Sequence, residues 1–468
     1  MRGVTFHRRM SSSSEDWVMV DDDAYFYEEE CPSTTDEDAT EDHVERENSP
    51  GIDAVGLGTA LVLGATVGLG VGVSVAAVAT IASRHIQQHG PSMMEKLGIK
   101  AFWKRKPLTS ERWCEEVDGE GHVRNFRSLL EEVSKGGVSS DIRVTVWPFL
   151  VGLMDPNSSA DERFERLEAL RRKYDSLVGR CRTLHTELED DEREASSEAA
   201  DPTRNQAEEY KENRRILALD LVRTDFSSMA LEEEDGGEVP AEPAEEDDAR
   251  ALGLHDPIES AEYLSPQKRR CAKVMGKLLL CYSVHDPQTG YCQGMTDLIQ
   301  PFVQTFRDES ACFWAFATFM ESARENFMSD ESGIMTRLSL VKMVMADISP
   351  EVFSYLNEIG AESFFFSYRM ILVLLRRELS VENTMLFWEV MWAEDLLADR
   401  EPGVPDFLVF SIVALIMGKS HEITTSCKAE SDVVYMFCNL KVNVWHMIEA
   451  ARFCRKKWLA IGAPEAVT

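Results

Sequence analysis

The sequence predicts an all-α domain of many helices over residues 113–463. Apolar residues recur there at spacings of three and four with charged outer faces, as in "NFRSLLEEVSKGG" and "ADERFERLEALRRKYDSLVGRC". No hairpin dipeptide flanked by alternating apolar residues occurs, and no heptad is sustained. Hydrophobic residues make up 44% of the 468, enough for a substantial core.

The chain begins differently. Residues 1–53 are Ser-rich, acidic and poor in apolar pattern, so they are expected to be a disordered acidic tail. Within them, "SSSSEDWVMVDDD" sets Trp17 and Val20 among Glu15, Asp16 and Asp21. This aromatic-x-x-aliphatic form resembles an LC3-interacting-type motif, a peptide that adds an edge strand to a ubiquitin-like autophagy modifier. Residues 54–83 then carry no charge. Thirty residues reach about 45 Å as a helix, beyond the ~30 Å of a bilayer core. Gly56, Ala60, Gly64, Gly68, Gly72 and Ala76 fall in one stripe, the small-xxx-small pattern of membrane helices. The segment therefore reads as a transmembrane helix or a membrane-embedded hairpin. Lys and Arg follow it through the juxtamembrane connector 84–112, which puts the helical domain on the cytosolic face of a membrane.

Beyond the connector, further helices are expected in "SPQKRRCAKVMGKLLLCYSV", "DESACFWAFATFMESARENF", "TMLFWEVMWAEDLL" and "DFLVFSIVALIMGK". Acidic stretches near 186–212 and 229–258 read as low-complexity surface insertions. These explain the charge. Residues 15–45 hold 14 acids without Lys or Arg, 187–209 hold 10 against two bases, and 231–248 hold 10 against none, which is nearly all of the net −33. The folded part is close to neutral, and nucleic acid is excluded as a partner because no basic domain exists to draw phosphates. The ten cysteines show no Cys-x-x-Cys and no His at ligand spacing, so neither a disulfide frame nor a metal site is expected.

Three short stretches carry the chemistry. "RVTVW" places Arg143 and Trp147 four apart, and "DLVR" places Asp220 and Arg223 three apart, each pair on one helix face. "HDPQTGYCQGMTDL" interrupts a helical run with turn residues and displays Gln293 just before the next helix. In this order the stretches resemble the TBC-domain family of Rab GTPase-activating proteins, with wording closest to its Gyp-seven-like branch. The resemblance covers residues 141–455, about two thirds of the chain, with Leu217 standing where the family usually has Ile.

The resemblance implies a TBC domain in two helical halves whose partner is a Rab GTPase in its GTP form. Arg223 would be the arginine finger, neutralising charge that builds on the γ-phosphoryl group. Gln293 would position the attacking water in place of the GTPase's own glutamine, since a carboxamide both accepts and donates. Asp220, Tyr291 and Gly294 would support this pair, Asp220 by orienting Arg223 or a neighbouring donor and Gly294 by letting a partner's backbone approach. Arg143 and Trp147 would brace the helix facing them. No cofactor is implied, because GTP and Mg²⁺ belong to the partner, and the chain would turn over no substrate of its own. A competing reading is a membrane-anchored adaptor that binds a GTPase without accelerating it. Retention of both Arg223 and Gln293 argues against that, since a scaffold needs neither.

Overall fold

The computed structural model describes residues 5–8, 17–20, 106–193, 202–226, 248–398 and 403–462. Two short strands lie inside the stretch expected to be unstructured. β1 (Thr5–Arg8) pairs antiparallel with β2 (Trp17–Val20), with Thr5 opposite Val20 and Arg8 opposite Trp17. The rest of that tail and the uncharged segment 54–83 lie outside the described residues. Among the described residues, no single helix is long and apolar enough to cross a membrane.

The helical body opens with α1 (Ser110–Glu116), α2 (Phe126–Gly136) and α3 (Arg143–Leu150). A long pair follows, α4 (Ala160–Arg193) and α5 (Pro202–Arg223), and then the short α6 (His255–Glu259). α7 (Pro266–His285), α8 (Met295–Thr305) and α9 (Glu309–Ala323) complete a first half, in which α7 packs on α4, α5, α8 and α9. The second half comprises α10 (Ser332–Ile348), α11 (Pro350–Glu358), α12 (Tyr368–Leu372), α13 (Val381–Leu397), α14 (Phe407–Gly418), α15 (Ser420–Ser426), α16 (Glu430–Cys438) and α17 (Val444–Ile461). α13 joins the halves, packing on α2, α3 and α8 as well as on α14 and α17.

Helix starts follow local chemistry. Asp308 and Asp406 accept the backbone N–H of Ala311 (2.8 Å) and Val409 (3.1 Å), and Ser265, followed by Pro266, accepts that of Lys268 (3.4 Å). Each satisfies one of the N–H groups that a first turn leaves without a partner. α13 and α14 are buried nearly all round, as helices shared between layers must be.

The acidic stretches are more helical than their composition implied. α4 continues to Arg193 and α5 starts at Pro202, so most of 186–212 is helix. The reason is an apolar stripe inside the polar run: Leu184, Leu188, Ala207 and Tyr210 are buried, and the Tyr210 hydroxyl donates to the Leu252 carbonyl (3.1 Å). Glu, Ala, Gln, Lys and Arg are strong helix formers, which one buried face is enough to fix. Asp248 likewise pairs with Lys277 (2.6 Å) at the end of the second acidic stretch.

An aromatic cluster lies beneath α3, α8, α9 and α13. Trp147 meets Phe302 at 5.3 Å and Trp392 at 5.2 Å between centroids, and Phe319 stacks on Trp388 at 5.0 Å. Such pairs add about 0.5–1.5 kcal/mol beyond area burial. They pack α8 into the core, and α8 begins at Met295, two residues after Gln293.

Candidate functional site

Helix α5 supplies the first side chain. Leu217 and Leu221 are fully buried and draw one face of its last turns into the core. Arg223, the last residue of α5, is exposed, at the helix end where a cation is favoured. The end is held by two residues. The Thr224 hydroxyl donates to the Asp220 carbonyl (2.9 Å) and its N–H to the Leu221 carbonyl (3.2 Å), while the Tyr263 hydroxyl donates to the Val222 carbonyl (2.7 Å). These carbonyls would otherwise lack partners at a helix terminus.

The turn after α7 supplies the second. Asp286 ends α7, taking the N–H groups of Thr289 (3.2 Å) and Gly290 (2.9 Å) on its carbonyl and the Thr289 hydroxyl (2.6 Å) on its carboxylate. Arg324 pairs with that carboxylate at 3.2 Å. Gly290 (φ 62°) and Gly294 (φ 101°) take the left-handed conformation that glycine alone enters without strain. Between them, Gln293 is exposed while Tyr291 and Gly294 are buried.

Asp220 joins the two pieces. Its Oδ2 accepts the Tyr291 hydroxyl (2.5 Å), the Gly294 N–H (3.2 Å) and the Thr296 hydroxyl (3.1 Å). Burial, reinforced by the Asp220 charge, pushes the Tyr291 pKa well up, so the phenol stays a donor. Gln293 therefore sits between two residues tethered to Asp220, and Arg223 follows Asp220 by one helical turn, about 5 Å of rise. The structure brings Arg223, Gln293, Asp220, Tyr291 and Gly294 to one place and leaves the arginine and glutamine exposed.

Asp220 takes neighbouring donors, those of the glutamine turn. Gly294 is required by its own positive φ and its bond to Asp220, and a Cβ there would meet Val373 at 3.2 Å.

Residues the sequence did not single out complete the frame. Asn213 accepts the Tyr291 N–H (3.1 Å). Gln300 donates to the carbonyl of Asp225, two residues after Arg223 (3.1 Å), and accepts from Arg376 (2.6 Å), while Arg377 pairs with Asp297 at 2.9 Å. Burial lowers the Arg376 pKa. These arginines follow Leu374 (φ 48°) and Leu375 (φ 61°), buried non-glycine residues in the left-handed region, and such strained residues cluster at functional sites. The only sequence signal for Asn213 is its place seven residues before Asp220, two turns back on the same helix face.

Arg143 and Trp147 lie apart from this site, as braces. Glu389, with no exposed surface, accepts Arg143 Nε (2.7 Å) and Trp147 Nε1 (2.9 Å) on Oε1 and the Val138 N–H (2.9 Å) on Oε2. Burial raises its pKa and the Arg143 guanidinium opposes this. The trio pins α3 to α13.

Comparison with known proteins agrees with this architecture. The family model described as Rab-GTPase-TBC domain matches residues 257–424, which include Gln293 and start after Arg223. Rab GTPase-activating protein 22 of Arabidopsis thaliana is 28% identical over 450 residues, spanning 75% of this chain and 81% of that protein. The GTPase-activating protein GYP7 of Saccharomyces cerevisiae is 28% identical over 300 residues, spanning 62% of this chain. Residues 257–424 carry the TBC domain, and the chain is similar to Gyp7-like members of that family. TBC1 domain family member 25 of Homo sapiens is 25% identical over 295 residues. The chain spans 38% of the yeast protein's length and 35% of the human one's. The crystal structure of the Ypt/Rab-GAP domain of Gyp1p superposes with a TM-score of 0.52 at 13% identity, covering 79% of this chain and 99% of that one, a likeness of fold.

Proposed function

We propose that this chain accelerates GTP hydrolysis by a Rab-family GTPase, supplying Arg223 and Gln293 in trans. One observation carries the reading: a single carboxylate, Asp220, holds the glutamine turn against the helix end that presents the arginine, with both functional side chains exposed. A guanidinium is always charged and offers several donors to the γ-phosphoryl oxygens, and in Ras with its activator such an arginine raises the rate about 10³–10⁵-fold. A carboxamide accepts from the attacking water while donating to the phosphate. GTP and Mg²⁺ come with the partner, so this chain needs only to position two side chains.

The segment 54–83 would hold the domain on the cytosolic face of a membrane, consistent with action on membrane traffic. Trp17 and Val20 would offer an extended strand to an autophagy modifier, a role that the strand conformation of Trp17–Val20 supports. Carbonate extraction tests the anchor: the full chain should stay in the pellet and a version lacking 54–83 should be released. Release of both would refute the anchor.

The test of the activity is a panel of GTP-loaded Rab proteins, measured for phosphate release with and without the detergent-solubilised full chain. At least one Rab should be accelerated, and Arg223→Lys and Gln293→Ala should each lose most of the acceleration. Binding without acceleration by any Rab would favour the adaptor instead.

A further inference from the structure

We infer that Asn213 is a positioning residue for Gln293, setting the start of the glutamine turn as Asp220 sets its end. This rests on the activity proposed above. Asn213 and Asp220 are seven residues apart on α5, about 10.5 Å along the axis. Their partners on the turn, the N–H groups of Tyr291 and Gly294, are three residues apart. The turn is thus tied to α5 at two positions, one at each end of the stretch that holds Gln293.

The contact with Asn213 is close on both sides of the peptide. Its Oδ1 takes the Tyr291 N–H, and a Cβ on Gly290 would come within 3.2 Å of that same oxygen. The turn therefore enters the left-handed Gly290 conformation directly against this side chain. Without the acceptor, the Tyr291 N–H loses its partner, and the backbone between the Asp286 turn and Gly294 keeps only the Tyr291 side chain as a tether to α5. Gln293 then moves relative to Arg223, although neither side chain has been altered. A misplacement of about 1 Å costs up to roughly a hundredfold in rate. Docking depends on surfaces that this change leaves in place.

The test uses the full chain and a Rab that it accelerates. Asn213→Ala should lower kcat about tenfold while KM for the GTP-loaded Rab stays within about twofold. Asn213→Asp keeps an acceptor oxygen and should recover most of the rate. In a Gln293→Ala background, Asn213→Ala should have no further effect, because the group it positions is gone. Thermal melts report folding, and if Asn213→Ala melts early, Asn213→Leu, which matches the asparagine in size, takes its place beside Asn213→Asp. The inference is overturned if Asn213→Ala keeps the full rate, if its loss multiplies with that of Gln293→Ala, or if Asn213→Asp is as slow as the alanine variant. A wild-type chain inactive on every Rab would instead overturn the activity itself. The two failures are thereby distinct.

Discussion

Replacing Asp220 by alanine tests the joint on which the site is built. In the intact protein three donors converge on one buried oxygen: the Tyr291 hydroxyl, the Gly294 N–H and the Thr296 hydroxyl. A hydrogen bond to a charged group contributes about 1.5–3 kcal/mol, and three sharing one atom fall short of their sum. All three donors are buried, so alanine leaves them without solvent as well as without a partner. The expected loss of stability is about 3–4 kcal/mol. Asp220→Asn can present a neutral oxygen at the same place and should lose about 1–2 kcal/mol. Tyr291→Phe should couple to either change, because it removes one of the same bonds. Urea unfolding followed by circular dichroism gives the stabilities, and phosphate release from a responsive Rab gives the rate. The rate should fall in the order wild type, Asp220→Asn, Asp220→Ala. A loss under about 0.5 kcal/mol for Asp220→Ala, or full additivity with Tyr291→Phe, would refute the convergence of donors.

The other expectations are independent of that joint. Glu389→Ala strands the Arg143 guanidinium, the Trp147 indole and the Val138 N–H, and should cost about 3–5 kcal/mol in urea unfolding; less than about 1 kcal/mol would contradict the brace. Gly294→Ala forces a side chain into φ 101° with Val373 at 3.2 Å, so it should lose about 1–2 kcal/mol and most of the activity; an unchanged rate would refute the need for glycine. Burial lowers the pKa of His285, which packs edge-on against Phe313 and Trp314, while Asp286 and Glu321 oppose the shift and Lys173 adds to it. The unfolded chain therefore takes up that proton first, so this contribution is complete above the ordinary histidine range and is lost as pH falls below about 6.5. His285→Phe keeps a ring and removes the titration, so its stability should fall less than the wild type's between about pH 7.5 and 5.5; equal losses would contradict this.

The sequence showed the helices and the turn before Gln293 because their signals are local, whereas Arg223 and Gln293 were singled out by resemblance to a family. Asp286-Pro287 and Thr289-Gly290 announce a turn wherever they occur, and Asp220 and Arg223 share a face by spacing alone. What joins them was hidden. Tyr291 reaches Asp220 across 71 residues, and Arg143 reaches Glu389 across 246, and no periodicity links such pairs. Glu389 lay in plain view in "FWEVMW", yet a carboxylate among aromatics gives no sign of which donors it will meet. The acidic stretches misled for a different reason. Composition averages over Leu184, Leu188 and Tyr210, whereas packing depends on those few residues falling on one face.

The most direct test gives the chain a Rab whose own switch glutamine has been changed to alanine. If Gln293 orients the attacking water from outside, the wild-type chain will still accelerate GTP hydrolysis by that altered Rab, and Gln293→Ala will not. If the altered Rab fails to respond to the wild-type chain while the unaltered Rab responds, the glutamine is not supplied in trans.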